Sequence, residues 1–175
     1  MIQNSINHTD ISYQLMQKNT LDFNTDTFDI ITFAGSLFYA KYQEILNETI
    51  RVSKPNCKII VYDFEVLMED VFKALGVCKD SFLASDYNHE TNFTGLKTDA
   101  LQLLEQTQKS VEFEISISDL AHLLLSAKND YSSIAAAYKY SDLYNEVVQQ
   151  LKKQLNTGVY FLKANTYLTA YSVLK

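Results

Sequence analysis

Two short apolar runs, Phe28–Phe33 (FDIITF) and Lys58–Tyr62 (KIIVY), stand out for their β-branched and aromatic residues. Runs of that length and type fit strands buried on both faces. Between them Tyr42, Ile45, Leu46, Thr49 and Ile50 recur at i, i+3, i+4, i+7 and i+8, which predicts an amphipathic helix with one face to the core. Arg51–Pro55 ends it, because a proline pushes its predecessor out of helical geometry. Strand, helix and strand form a crossover unit, so the two strands are expected to run parallel.

The flanking sequence is less regular. Residues 1–10 show little periodicity and read as a frayed end or loose arm. Ile11–Met16 alternates weakly, as a strand would, and Leu21–Thr27 carries Asp22, Asn24 and Asp26 as a polar turn into Phe28. After the central unit, Leu67, Val71 and Leu75 predict a short helix over Glu65–Leu75 stopped by Gly76. Val77–Lys97 is an irregular stretch with Phe82, Tyr87, His89 and Phe93 scattered among polar residues; long loops of this kind are usually functional or mobile. Asp99 and Gln102 stand at capping-box spacing before an expected helix at Leu101–Leu104. Val111, Phe113 and Ile115 alternate with Glu112 and Glu114, predicting a half-buried strand. A second capping box, Ser116 with Asp119, precedes Leu120, Leu123 and Leu124. Leu143, Val147, Leu151 and Leu155 line a last helix, with Ser141 as its cap and Asn156–Gly158 as its stop. Val159–Leu162 and Tyr167–Leu174 read as an antiparallel pair or one long bulged strand.

On these residues the chain resembles a known family. FDIITFAGSLFYA, a helix and then RVSKPNCKIIVYDF are similar to the fourth strand, fourth helix and fifth strand of class I S-adenosylmethionine-dependent methyltransferases. Gln17–Phe23 sits where that family carries the loop after its third strand. The resemblance covers residues 12–64. It implies an α/β fold: an incomplete methyltransferase-like, Rossmann-like sheet with parallel core strands, an antiparallel C-terminal edge and helices on both faces. Residues 1–175 are read as one truncated domain of this kind, its C-terminal portion, because the family's first two strands and glycine-rich cofactor loop have no counterpart.

The resemblance also implies a site. In doubly wound sheets a ligand lies beyond the carboxyl ends of the strands, where the strand order reverses. That points to Ala34, Gly35 and Ser36 for the methionine part of S-adenosylmethionine, and to Gln17, Lys18 and Asn19 beside the adenine. Many relatives place an Asp where Gln17 stands; its amide oxygen can still accept a hydrogen bond. Phe38, Tyr39, Asp63 and Phe64 would border the methyl acceptor. The plainer alternatives are a strand end at Gly35–Ser36 and two aromatics packed under a helix. Asn56 replaces a family glycine before the second strand and can carry a positive φ. Methyl transfer depends chiefly on positioning. No G-x-G occurs among the four glycines, so weak or no cofactor binding by this chain alone is expected.

Composition narrows the function. A net charge of −6 argues against non-specific nucleic-acid binding, which needs a cationic face. Cys57 and Cys78 form no disulfide framework and suggest a reducing, cytoplasmic setting. No apolar run is long enough for a membrane span, and the first residues do not form a signal peptide. His8, His89 and His122 with the cysteines show no metal-ligand spacing. Glu65, Glu69 and Asp70 fit a solvated helix face better than an acidic rim. Two functions remain. One is a fragment of a methyltransferase for a small-molecule acceptor. The other is a non-catalytic, methyltransferase-derived binding or dimerisation module. With no first strand beside it, Phe28–Phe33 would be an open apolar edge. Ile11–Met16, a second copy in a homodimer, or a separate partner chain is expected to cover it.

Overall fold

The computed structural model describes residues 10–16, 19–77, 86–138, 141–155 and 158–175. The expected crossover is present. Strands β1 (Phe28–Ala34) and β2 (Ser53–Leu67) pair in parallel, with Ile31 opposite Ile59, Thr32 opposite Ile60 and Phe33 opposite Val61. Between them lie a 3-10 turn at Leu37–Tyr39 and helix α1 (Tyr42–Val52). The remaining elements are α2 (Glu69–Ala74), β3 (Leu101–Ser116), α3 (Ile117–Ser126), α4 (Lys128–Ala137), α5 (Leu143–Leu155) and β4 (Val159–Val173). The sheet order is β1-β2-β4-β3, so the fold is α/β with a parallel pair and a returning C-terminal strand. β4 runs antiparallel to β3: Thr166 bonds Lys109, while Gly158 meets Ile117. Partners moving in opposite directions along the two strands require that sense.

Contacts within the chain cluster into two compact units. Unit 1 comprises residues 1–62, 91–106 and 169–175; unit 2 comprises residues 63–90 and 107–168. In unit 1, Ile45 and Leu46 of α1 are buried with Cys57, Ile59 and Val61 of β2 and Tyr171 and Val173 of β4. Odd positions of both strands therefore face this core, the period of a pleated strand. Thr49 is buried among them because its hydroxyl donates to the Ile45 carbonyl at 2.6 Å. The chain entering β1 is clamped by Arg51, whose guanidinium donates to the carbonyls of Phe23 and Leu21 at 2.8 Å and to both oxygens of Glu48. Glu48 accepts in turn from the Leu21 amide at 3.0 Å. Arg51, then the Leu21 amide, hold the Glu48 carboxyl down at about 2. The Lys175 ammonium closes the same region on Asp26 and on the carbonyls of Arg51 and Ser53.

Unit 2 is a helical core. Leu120 and Leu124 of α3, Ile134 of α4, and Val147 and Leu151 of α5 are fully buried with Leu162 of β4. Helix α3 begins at the capping box expected from sequence. Ser116 Oγ accepts from the Asp119 amide at 3.0 Å and donates to its carboxylate at 2.6 Å. Gly76 ends α2 in the left-handed region (φ 66°), with its amide on Lys73 and that of Val77 on Phe72.

Several expectations fail for tertiary reasons. β1 has no fully buried residue, because it ends the strand order and keeps one face out; Ile30 is 61% exposed. Ile11–Met16 is exposed and forms no strand, having no ladder to join. The expected helix at Glu65–Leu75 shrinks to Glu69–Ala74 because β2 continues through Leu67. Leu101–Leu104 is strand, not helix, joined to Val111–Ile115 in one long β3. Val111 and Phe113 there are 42% and 40% exposed, more than a half-buried strand requires. The α5 cap is Asp142 rather than Ser141, its carboxylate accepting from the Asn145 amide. Helix α4, rich in Ser and Ala, gave no apolar period to read. The chain ends in one strand, settling the alternative between a pair and a single long strand. Asn56 does carry a positive φ of 65°, inside a bulge where the pairing slips between Phe28–Ser53 and Ile30–Lys58. Among the described residues no helix is long and apolar enough to cross a membrane.

Candidate functional site

In unit 1 the turn after β1 is the strand-end feature anticipated from sequence. Gly35 adopts φ 57°, a conformation costly for a residue with a Cβ, and its amide donates to the Tyr62 carbonyl at 2.9 Å. That bond ties the turn to the parallel neighbour of Ala34, since Ala34 and Tyr62 are register partners. Ala34 and Ser36 are exposed, and Ser36 starts the 3-10 turn without a side-chain cap. Leu37 anchors the turn in the core. Phe38 and Tyr39 pack edge to face at 5.7 Å, with Tyr39 79% exposed and Phe38 half-buried. Gln17 and Lys18 lie outside the described residues. Asn19 is engaged at the start of α1: its carbonyl oxygen accepts from the Lys41 amide at 3.2 Å and its amide donates to Glu44 at 2.9 Å. The Asn19 bond is also the main reason the Glu44 carboxyl lies below its ordinary value.

Unit 2 holds a second group, gathered around Asp63 in the last stretch of β2, four residues before that strand ends. Asp63 Oδ1 accepts from the Phe64 amide at 2.7 Å, and Oδ2 accepts from the Tyr87 hydroxyl at 2.6 Å. His89 Nδ1 stands 3.3 Å from the same Oδ2. That is close enough for attraction, but the nitrogen is not aligned for a hydrogen bond, and it is buried without another partner. The His89 ring lies against the edge of Tyr87 at 4.7 Å and stacks on Tyr167 at 6.3 Å. Tyr167 donates to Glu65 at 3.2 Å. Burial, then the Glu65 and Glu90 carboxylates, push the Tyr167 phenol up, while Asn165 opposes the shift. Phe64 is 60% exposed. His122, by contrast, stacks on Tyr144 at 4.5 Å on the exposed side of α3, a packing role.

These two groups differ in what they can hold. The Gly35 turn could pass beside the methionine part of S-adenosylmethionine. Yet its amide is spent on Tyr62 and both polar ends of Asn19 are spent on α1. With no G-x-G in the sequence, the described residues do not make a full cradle for that cofactor. The Asp63 group has an acid, a base and phenols in contact, the parts of a proton-transfer site. Among the described residues no three side chains of His, Cys, Asp or Glu converge as metal ligands.

Sequence reasoning named Asp63 and Phe64 but passed over His89, Tyr87 and Tyr167. The long loop signalled that something in Val77–Lys97 matters, and Tyr87-Asn88-His89 was visible in it. What singles out His89 is its approach to Asp63, a contact between distant positions that no local pattern encodes.

No protein-family profile and no curated protein matches the sequence. Solved structures do match its fold. A proposed type II methyltransferase from Anaeromyxobacter dehalogenans superposes with a TM-score of 0.63 at 13% identity, over 98% of this chain and 74% of that one. A proposed methyltransferase from Bacillus halodurans C-125 matches over 98% of this chain and 75% of its own, at 14% identity and a TM-score of 0.47. The first of these superpositions shows a methyltransferase-like fold.

Proposed function

We propose that this chain is the acceptor-facing portion of an S-adenosylmethionine-dependent methyltransferase for a small molecule, with little or no cofactor affinity of its own. The parallel β1–β2 crossover, with the left-handed Gly35 turn directly after β1, carries this reading, since that turn occupies the carboxyl end of a strand, where such sheets bind ligands. The acidic balance of the chain and the aromatic loop around Tyr87 favour a small organic acceptor over nucleic acid. In this assignment Ala34–Ser36 pass the cofactor, and Phe38 and Tyr39 of unit 1 border the acceptor. Buried, unpaired Cys57 accords with a cytoplasmic location. Calorimetric titration with S-adenosylmethionine and S-adenosylhomocysteine tests the reading. A Kd weaker than about 100 μM for the isolated chain is expected from the incomplete cradle. Micromolar binding would overturn the weak-affinity half. No binding at millimolar cofactor fits either reading, and the oligomeric state then separates them.

That second reading is a non-catalytic module that associates through β1. It draws on the position of β1 at the end of the strand order and on exposed Ile30. Such edges recruit further strands. A second copy is the proposed occupant, and a separate chain the alternative. Light scattering on the purified chain distinguishes a dimer from a monomer, and an Ile30→Lys variant should weaken any dimer formed this way.

A further inference from the structure

We propose that His89, oriented by Asp63, is a proton-accepting group of a small-molecule site in unit 2. Its Nδ1 is buried and faces the Asp63 carboxylate at 3.3 Å. The imidazole side chain is nevertheless 30% exposed, so the exposure falls on the opposite edge, where Nε2 lies. Tyr87 and Tyr167 hold the ring from two sides, which fixes this orientation. A carboxylate beside Nδ1 favours the tautomer with the proton on Nδ1 and leaves the Nε2 lone pair outward. Catalytic contacts of this kind are commonly loose before a ligand arrives, which accounts for the imperfect Nδ1 alignment.

The step it supports is simple. A ligand X–H reaches Nε2, the X–H bond breaks with its electron pair staying on X, and the proton bonds to Nε2. The resulting imidazolium stands beside the Asp63 carboxylate, which stabilises it. Asp63 stands beside the ring, and Glu65 and Glu90 face the Tyr167 phenol stacked on it, so the charged groups shown around this site are acidic. The ligand is therefore a hydroxyl or an ammonium that arrives with its proton, and not an anion. As the base for a methyl acceptor, His89 rests on the function proposed above; as a proton-accepting site it stands on its own geometry. Asp63 acts through His89 and is a positioning residue.

The test uses the full chain, with Asp63→Asn and His89→Gln variants checked by circular dichroism for retained fold. Histidine side-chain nitrogen NMR at mildly alkaline pH reads the tautomer, and His89→Gln identifies the His89 signals among the three histidines. The wild type should show the Nδ1–H form, and Asp63→Asn should revert to the Nε2–H form of free imidazole. Carbethoxylation of His89 by diethylpyrocarbonate, followed by peptide mass spectrometry, should slow about tenfold in Asp63→Asn as its Nε2 lone pair is lost. The rate at His122 should not change. Alkylation at His89 should favour neutral bromoacetamide over bromoacetate by at least about fivefold more than at His122, as those acidic groups require. An Nε2–H tautomer in the wild type, or equal carbethoxylation rates in wild type and Asp63→Asn, would overturn the assignment. Equal reagent preference at the two histidines would remove the ligand class. None of these readouts depends on cofactor, so they can succeed where the methyltransferase reading fails, and the reverse.

Discussion

Replacing Glu48 with Gln removes a charge from the clamp at the entry to β1 while keeping an acceptor for the Leu21 amide. The carboxyl is held at about 2 by Arg51 and by that amide, against an ordinary value of 4.5. Taken in full, such a depression is equivalent to about 3.4 kcal/mol. The side chains of Arg51 and Glu48 are 33% and 22% exposed, so solvent screening reduces the expected loss at pH 7 to about 1–2 kcal/mol. The sign follows from linkage. A carboxyl depressed by folding stabilises fully above its unfolded value and loses that contribution as pH falls toward its folded value. The gap between wild type and Glu48→Gln should therefore be constant above about pH 5. It should fall to less than half of its size at pH 3 and vanish below about pH 2. Urea unfolding followed by circular dichroism, on both proteins across that range, reads it directly, because the other carboxylates cancel in the difference. Equal stability at pH 7, or a gap that persists undiminished at pH 3, would refute the clamp as an ionic device.

Other variants probe the remaining claims. Leu46→Ala empties a fully buried site in the unit 1 core and should cost about 2–5 kcal/mol by thermal or urea unfolding. Asn56→Val forces a β-branched residue into φ 65° and should destabilise by about 1–2 kcal/mol, whereas Asn56→Gly should be near neutral. Tyr171→Phe strands the Phe93 amide, which donates to the Tyr171 hydroxyl at 3.1 Å in a buried position; a loss of about 1–3 kcal/mol is expected. A Tyr171→Phe protein as stable as the wild type would mean that water replaces the hydroxyl there.

The turn signals show how far local chemistry reaches. Gly76 and the Ser116–Asp119 capping box stop and start helices where the sequence says they should, because each acts on amides within a few residues. Leu101–Leu104 shows the limit. Its Asp99–Gln102 spacing suits a helix cap, yet the segment extends because Ala100 and Leu174 pair through their backbones. A partner that far along the chain outweighs a weak local preference.

The sequence alone pointed to the crossover: two β-rich runs around a 3.6-period helix fit a parallel pair, since parallel neighbours need a connection of about that length and a packed helix supplies it. It also marked Asn56 as able to carry a positive φ, since Asn tolerates the left-handed region at a turn where the family resembled has glycine. Tertiary structure alone decided that β1 lies at the sheet edge, that Asn19 serves α1, and that His89 meets Asp63. Those outcomes depend on which distant groups arrive at the same place, and desolvation and pairing energies act only once they are there.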